Sequence, residues 1–272
     1  MIKGGTGMLK KDILLETIYE ELPFQKRFAA AKADGFDDVE MWDWSNKNLP
    51  EVKQLLADND LKLAAMSGDG PFSMCDPKDK EGYLDFLYRS LDAAKIVDCH
   101  TLVIHSDALM ESPQYAKPLA EHYSLITKYC AMFAVLSEIA PKAQAAGITL
   151  VLEPLNIVKD HCGYFLTSTE DAADLVKAVG NPNLKILYDA YHMYLNEGKI
   201  CETTEKYLPY IGHIHIADAP GRHEPGTGVI NYGNFLKHLD RLGCRCFVGF
   251  ELYPAADSAA AVKAIKSVCE GV

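Results

Sequence analysis

The stretch ITLVLEPLN at residues 148–156 begins as a short apolar run and ends in a carboxylate, Glu153, and an amide, Asn156. Continuous apolar runs of this length are typical of strands in a parallel sheet that is covered on both faces. Seven further runs of this kind lie along the 272-residue chain. They are DILLETIY (12–19), DVEMWDW (38–44), LKLAAMSGD (61–69), TLVIHSD (101–107), LKILYDAYH (184–192), IGHIHIADA (211–219) and CFVGFELYP (246–254).

Helical patterns separate these predicted strands, so strand and helix alternate from one end of the chain to the other. Eight strand–helix units without a Gly/Ser/Pro-rich linker predict a single (β/α)8 TIM-barrel domain over residues 1–272, with a parallel eight-stranded core. A doubly wound sheet is the alternative fold, but no G-x-G-x-x-G follows an early strand. The predicted helices cover residues 23–34, 50–58, 79–98, 116–146, 169–179, 202–209, 231–242 and 256–270.

Composition and charge limit which binding partners and which cellular compartment are expected for this chain. The formal net charge of -11 argues against a nucleic-acid backbone as the main partner. No apolar run reaches the ~18–20 residues of a membrane span, so no membrane partner is expected. Eight dispersed cysteines without a CxxC pattern, and an N-terminus without a secretory signal, predict reduced thiols in the cytoplasm. Barrels of this type often associate through their helical faces, so a homo-oligomer is among the expectations.

Polar side chains lie where the predicted strands end, which is the face of a TIM barrel that carries its functional residues. The same geometry predicts no comparable polar cluster at the opposite end. Histidines 213 and 215 alternate along one strand and should share a face. The strand-end residues are His105, Glu153, Asn156, Asp189, His192, His213, His215, Asp218 and Glu251.

Four of these side chains would form a cation site if they met at the mouth of the barrel. Glu153, Asp189 and Glu251 would bring three carboxylates around one point, together with the imidazole of His215. Like charges repel at such distances and burial adds to the repulsion, so one bound divalent cation is the simplest neutraliser. An imidazole with three carboxylates suits Mn²⁺ or Mg²⁺, with Co²⁺ as a further candidate. Taken singly, each carboxylate fits equally well as a helix cap or an ion-pair partner.

Four segments carry a family resemblance: LVLEPLN (150–156), LKILYDAYHMY (184–194), GHIHIADAPGRHEPGTGVINY (212–232) and VGFELYP (248–254). They resemble the hydroxypyruvate isomerase family, part of the xylose-isomerase-like superfamily of metal-dependent TIM-barrel sugar isomerases and epimerases. The similarity extends over most of the chain, including LPFQKRFAAAKADGFDDVE (22–40), and the loop motif PGRHEPGTGxINY is its most specific part.

The resemblance implies a role for each matching residue. Glu153 and Glu251 correspond to the two catalytic carboxylates that move a proton. Glu153, Asp189, His215 and Glu251 correspond to the metal ligands, the same set that the strand ends indicate.

Substrate contacts are expected for four further residues. In the resemblance, His192 corresponds to the histidine that contacts the substrate oxygen beside the metal, and Arg222 to a substrate-binding position. His105, at a strand end, is a further candidate for orienting substrate hydroxyls. Glu224 lies in the loop PGRHEPGTG (220–228), which either closes over the substrate or is a tight turn between the seventh strand and the seventh helix.

Three positions depart from the family pattern. His215 stands where hydroxypyruvate isomerases commonly have Gln, Val229 where the loop motif has Glu, and Lys159 where ketose 3-epimerases usually have Glu.

The function that the resemblance implies is a metal-dependent isomerase or epimerase that works through an enediolate on a small sugar, a ketose or an oxo-hydroxy acid. The alternative is a lyase or C-glycoside-cleaving subunit that uses the same metal and Glu bases on an oxidised sugar.

Overall fold

In a computed structural model that describes residues 9–110 and 115–271, eight parallel strands pair in chain order and close into a barrel. Closure occurs where β1 (Lys10–Leu14) pairs with β8 (Phe247–Phe250). The predicted (β/α)8 fold is confirmed. The remaining strands are β2 (Asp38–Met41), β3 (Lys62–Ser67), β4 (Thr101–Ile104), β5 (Thr149–Leu152), β6 (Leu184–Asp189) and β7 (Ile211–Ile216).

Helices surround the barrel, and side-chain caps begin several of them. The Oγ of Ser168 accepts the N–H of Asp171 at the start of α5, as the STED sequence predicts. No helix in the described ranges is long and apolar enough to cross a membrane. The helices are α1 (Phe24–Ala33), α2 (Leu49–Asp58), α3 (Lys80–Val97), α4 (Leu125–Ala145), α5 (Thr169–Val179), α6 (Ala190–Glu197), α7 (Ile200–Tyr207), α8 (Tyr232–Arg241) and α9 (Ser258–Val268), with a short 3-10 helix at Leu208–Tyr210.

Two predicted boundaries are wrong for identifiable reasons. The first strand was predicted at 12–19 but ends at Leu14, where the chain turns. The helix predicted at 116–146 begins only at Leu125, because the Ser124 side chain caps it by accepting the N–H of Thr127. Pro118 lies in its predicted first turn and disfavours helical backbone geometry at the preceding residue, Lys117.

The chain after strand β6 also differs from the prediction, which extended that strand to His192. The strand ends at Asp189, whose Oδ1 accepts the N–H groups of Tyr191 and His192 and so starts α6. Helix α6 was not predicted, and it ends at Gly198, whose φ is 73°. The helix predicted at 202–209 corresponds to α7, which begins at Ile200. His192 is therefore a helix residue and not a strand-end residue.

Strand β5 shows how the barrel sorts its side chains. Leu150 and Leu152 belong to the main apolar core beneath the helices, whereas Val151 belongs to a separate small cluster. This period of two places alternate residues inside and outside the barrel. The inner cluster comprises Ala65, Val103, Val151 and Leu187, one residue from each of the strands β3 to β6.

The other half of the barrel interior is charged. Glu40 on β2 forms an ion pair with His213 on β7, and these strands are not neighbours in the sheet, so the contact crosses the interior. Asp12 on β1 and His215 on β7 complete this group, and all four side chains are buried. This group lies inside the barrel, beneath the strand ends, and the sequence analysis did not predict it.

A glycine makes room for the charged half. Gly249 on β8 pairs in register with Asp12 on one side and His215 on the other. A Cβ at this position would lie 2.6 Å from Glu40 Oε1 and 2.7 Å from Asp12 Oδ1, which is closer than non-bonded atoms approach. Any larger residue would therefore push the carboxylates apart.

We expect Gly249→Ala to lower the free energy of unfolding by about 1–3 kcal/mol, because the methyl group overpacks a buried ionic cluster. Urea unfolding monitored by circular dichroism measures the change. The control is Gly233→Ala in α8, where the nearest atom to a new Cβ is 3.7 Å away. That variant should be neutral or slightly more stable, and equal stability of the two variants would contradict the role of Gly249.

Candidate active site

Four consecutive strands deliver the predicted ligand residues to one point at the mouth of the barrel. Glu153 directly follows β5, Asp189 ends β6, His215 is the penultimate residue of β7, and Glu251 directly follows β8. One nitrogen or oxygen atom from each lies within 4.8 Å of the others, and all four residues are buried. The structure thus brings together the complete set that the strand ends indicated.

Three of the converging atoms are left without a protein partner. Glu153 Oε1, Asp189 Oδ2 and His215 Nδ1 are buried and make no hydrogen bond within residues 9–110 and 115–271. His215 Nδ1 lies 3.9 Å from Glu153 Oε1 and 3.4 Å from Glu251 Oε2. Burial and the charges of Glu153 and Glu251 raise the pKa of Asp189 to about 7. Buried ligand atoms without a hydrogen bond and concentrated negative charge both fit a divalent cation. Carboxylate oxygens with one imidazole nitrogen suit Mn²⁺ or Mg²⁺.

The Glu251 carboxylate is fixed by two strong donors. Its Oε1 accepts the indole N–H of Trp42 at 2.9 Å, and its Oε2 accepts an N–H of Arg222 at 2.8 Å. Burial alone would raise the pKa of Glu251, but Arg222, His215 and Trp42 hold it well below its usual range. Glu251 is therefore an ionised carboxylate with a defined orientation.

The Glu153 carboxylate has a different partner. His105 directly follows β4, and its Nε2 lies 3.0 Å from Glu153 Oε2, while its Nδ1 lies 3.2 Å from Asp69 Oδ1. Burial would lower the pKa of His105, but Asp69 and then Glu153 outweigh it and raise the pKa to about 10. The histidine predicted to contact substrate thus lies against one of the predicted catalytic carboxylates.

His192 presents a neutral imidazole to the same point. Its Nδ1 lies 2.6 Å from the side-chain amide of Asn156 and accepts the backbone N–H of that residue at 3.3 Å. The proton must then sit on Nε2, which lies 3.5 Å from Asp189 Oδ2. Burial, Arg222 and His161 hold the pKa of His192 well below its usual value.

The loop after β7 is organised around a single carboxylate. The side chain of Asp218 accepts the N–H groups of Gly226, Gly228 and Ile230 at 2.8–3.0 Å. A Cβ at Gly228 would lie 2.0 Å from a backbone oxygen, so the close approach requires glycine. This frame presents Arg222, which adopts a left-handed φ of 59° and is 8% exposed.

Glu224 points away from the converging atoms. Its Oε2 accepts the N–H of Ala255 at 2.9 Å, and neighbouring His223 contacts the Tyr253 carbonyl at 2.7 Å. Glu224 is not one of the described residues that line the active-site cavity. It ties the loop after β7 to the segment after β8.

Three of the ligand residues, Glu153, His215 and Glu251, line a cavity of about 450 Å³, whereas Asp189 and His192 are fully buried and are not among the described residues that line it. Trp42 and Phe86 give it an aromatic wall, whereas Trp44 donates its N–H to Ser90. Glu40, Asp69 and His161 also line the cavity and were missed at the sequence level. Asp69 ends the predicted third strand and could have been found by the strand-end criterion, but His161 lies in an irregular loop without such a signal.

Comparisons with known proteins agree with this geometry. A profile described as xylose isomerase-like TIM barrel matches residues 28–268. The chain is 31% identical to 2-oxo-tetronate isomerase of Cupriavidus necator, covering 93% of this chain and 95% of that protein. It is also 31% identical to hydroxypyruvate isomerase of Escherichia coli, with coverages of 94% and 98%. A crystal structure described as AP endonuclease, family 2, from Brucella melitensis superposes with a TM-score of 0.85 at 26% identity, with coverages of 96% and 99%.

Replacing Asp189 with Asn separates its capping role from its charge. Asparagine keeps the oxygen that caps α6 but removes one of three like charges. We expect the chelator-treated variant to melt at the same temperature as the wild type or higher, because repulsion is relieved. Excess MnCl₂ should raise the melting temperature of the wild type only, since a ligand at 100 times its Kd stabilises by about 2.7 kcal/mol.

Thermal unfolding followed by circular dichroism makes this comparison. An equal Mn²⁺-induced shift in both proteins would exclude Asp189 as a ligand. A variant that melts lower in chelator would show that like-charge repulsion is not the dominant force at this point.

Proposed function

The chain belongs to the xylose isomerase-like TIM-barrel family, and we propose that it is a metal-dependent isomerase or epimerase of α-hydroxy carbonyl compounds. The substrate is a small sugar, a ketose or an oxo-hydroxy acid. One observation carries this proposal: three buried carboxylates and an imidazole converge on one point at the mouth of the barrel. Within the described ranges, Glu153, Asp189 and His215 each leave one of the converging atoms without a hydrogen bond.

Four residues would hold the metal ion, namely Glu153, Asp189, His215 and Glu251. A bound Mn²⁺ or Mg²⁺ supplies Lewis-acid polarisation of a carbonyl oxygen and neutralises the negative charge that develops when an α-proton leaves.

Glu153 and Glu251 carry the proton in this proposal. They come from β5 and β8, the outer two of the four ligand-bearing strands. One carboxylate removes the α-proton, and the same or the other carboxylate returns it. Return to the neighbouring carbon is an aldose–ketose isomerisation, and return to the same carbon from the opposite face is an epimerisation.

The surrounding side chains orient the substrate. His192 carries its proton on Nε2, which has no hydrogen-bond partner in the described part of the chain, but the residue is fully buried and is not among the residues that line the cavity, so its contact with a substrate oxygen stays a prediction. Arg222 lines the cavity and binds hydroxyl or carboxylate oxygens. His105 holds Glu153 and faces the same space. Glu224 contributes by tying down the loop that presents Arg222.

Two observations favour a small-molecule substrate over DNA, although one similar solved structure is described as an endonuclease. The chain has a net charge of -11, which opposes binding to a phosphate backbone. The relatives in C. necator and E. coli are named for isomerisation of oxo-hydroxy acids.

All eight cysteines lie in the described ranges as free thiols, which supports a reducing, cytoplasmic setting.

Incubation of the Mn²⁺-loaded enzyme with candidate substrates in deuterated water tests the proposal. The panel contains hydroxypyruvate, 2-oxo-tetronate, tetruloses, pentuloses and hexuloses, and NMR detects both α-proton exchange and product. We expect at least one compound to exchange and convert, and Glu153→Gln and Glu251→Gln each to slow conversion by at least about 100-fold.

The matched control is Glu197→Gln, which removes a carboxylate whose Oε1 accepts the Thr169 N–H outside the cavity. It should retain wild-type turnover. Wild-type turnover in either catalytic variant would overturn that residue's role. Release of a leaving group in place of a rearranged product would establish the lyase alternative.

A further inference from the structure

The imidazole of His215 contacts a different carboxylate on each side. Its Nδ1 faces the proposed metal ligands, 3.4 Å from Glu251 Oε2. Its Nε2 lies 3.0 Å from Oε2 of Glu40, a β2 residue that is 2% exposed. A neutral imidazole carries one N–H, so the carboxylate at Nε2 decides which nitrogen keeps it.

Glu40 is itself held from below. Its Oε1 forms an ion pair with His213 Nε2, and Asp12 Oδ2 lies 3.9 Å from the same nitrogen.

We propose that Glu40 is a positioning residue for the metal site: it accepts the Nε2–H of His215 and thereby fixes the tautomer whose Nδ1 lone pair faces Glu153, Asp189 and Glu251. His213 and Asp12 hold the Glu40 carboxylate in the orientation that this contact needs. The inference rests on the proposed function, because it assigns a second layer to the metal site on which that function depends.

Fold stability alone gives no reason for this arrangement. Buried ion pairs seldom stabilise a protein more than apolar residues of similar volume. The opposite half of the same barrel interior is filled by Ala65, Val103, Val151 and Leu187, so apolar filling suits this architecture. The cluster also demands a glycine at position 249, which leaves β8 without a side chain at that position. A second carboxylate behind a ligand histidine, in contrast, sets ring orientation and raises ligand basicity.

Titration calorimetry of chelator-treated protein with MnCl₂ tests the role of Glu40. The wild type should bind about one Mn²⁺ per chain, and Glu40→Gln should bind it about 10–100-fold more weakly. Saturating Mn²⁺ should restore most of the kcat of Glu40→Gln, because the residue acts through His215 and not on the substrate. Glu197→Gln removes one carboxylate charge elsewhere and should keep wild-type affinity.

The imidazole ¹⁵N shifts of the Mg²⁺-loaded wild type give a second readout that does not depend on a variant folding. They should place the proton of His215 on Nε2, and a proton on Nδ1 would overturn the proposal. Wild-type Mn²⁺ affinity in folded Glu40→Gln would overturn it as well, while leaving the proposed function intact. A wild type that binds no Mn²⁺ would overturn the metal site itself.

Discussion

A parallel barrel forces the carboxyl ends of its strands into one small ring, and here four neighbouring strands end in ionisable side chains. Three carboxylates confined in that ring repel one another unless other groups compensate them. The structure supplies separate partners for each: helix α6 for Asp189, His105 for Glu153, and Trp42 with Arg222 for Glu251. The partners of Glu153 and Asp189 leave one oxygen of each carboxylate without a hydrogen bond among the described residues, whereas both oxygens of Glu251 are bonded. All three side chains converge on a single point.

The loops at the mouth of the barrel and the side chains in the barrel interior hold the ligand residues in this geometry. The loop after β7 is wound around Asp218 and attached to the segment after β8 through His223 and Glu224. Beneath the ligands, the interior is divided: strands β3 to β6 contribute apolar side chains, and β1, β2 and β7 contribute charged ones. The ligand-bearing end of β7 therefore rests on charged groups, and the ends of β5 and β6 rest on apolar packing.

The fold and the four-residue cluster followed from the sequence because both depend on local patterns. Apolar runs of strand length alternate with helices, and a polar residue at the end of a buried run must lie at the mouth of a barrel. Glu40 was not found, since the sequence DVEMW does not reveal whether its carboxylate faces the interior or the solvent. That orientation is set by a contact across the barrel between strands far apart in sequence. His192 was assigned to a strand because capping by Asp189 depends on backbone geometry that the apolar pattern does not encode.

The hydrogen bond between Trp42 and Glu251 gives the site an intrinsic optical reporter. The chain contains two tryptophans, and the other, Trp44, is bonded to Ser90 and packed 5.4 Å from the ring of Phe86. Emission from an indole responds to the electric field along its ring, and the Trp42 N–H ends on a carboxylate of the reaction centre. Fluorescence of the unlabelled protein therefore responds to the charge state of that centre.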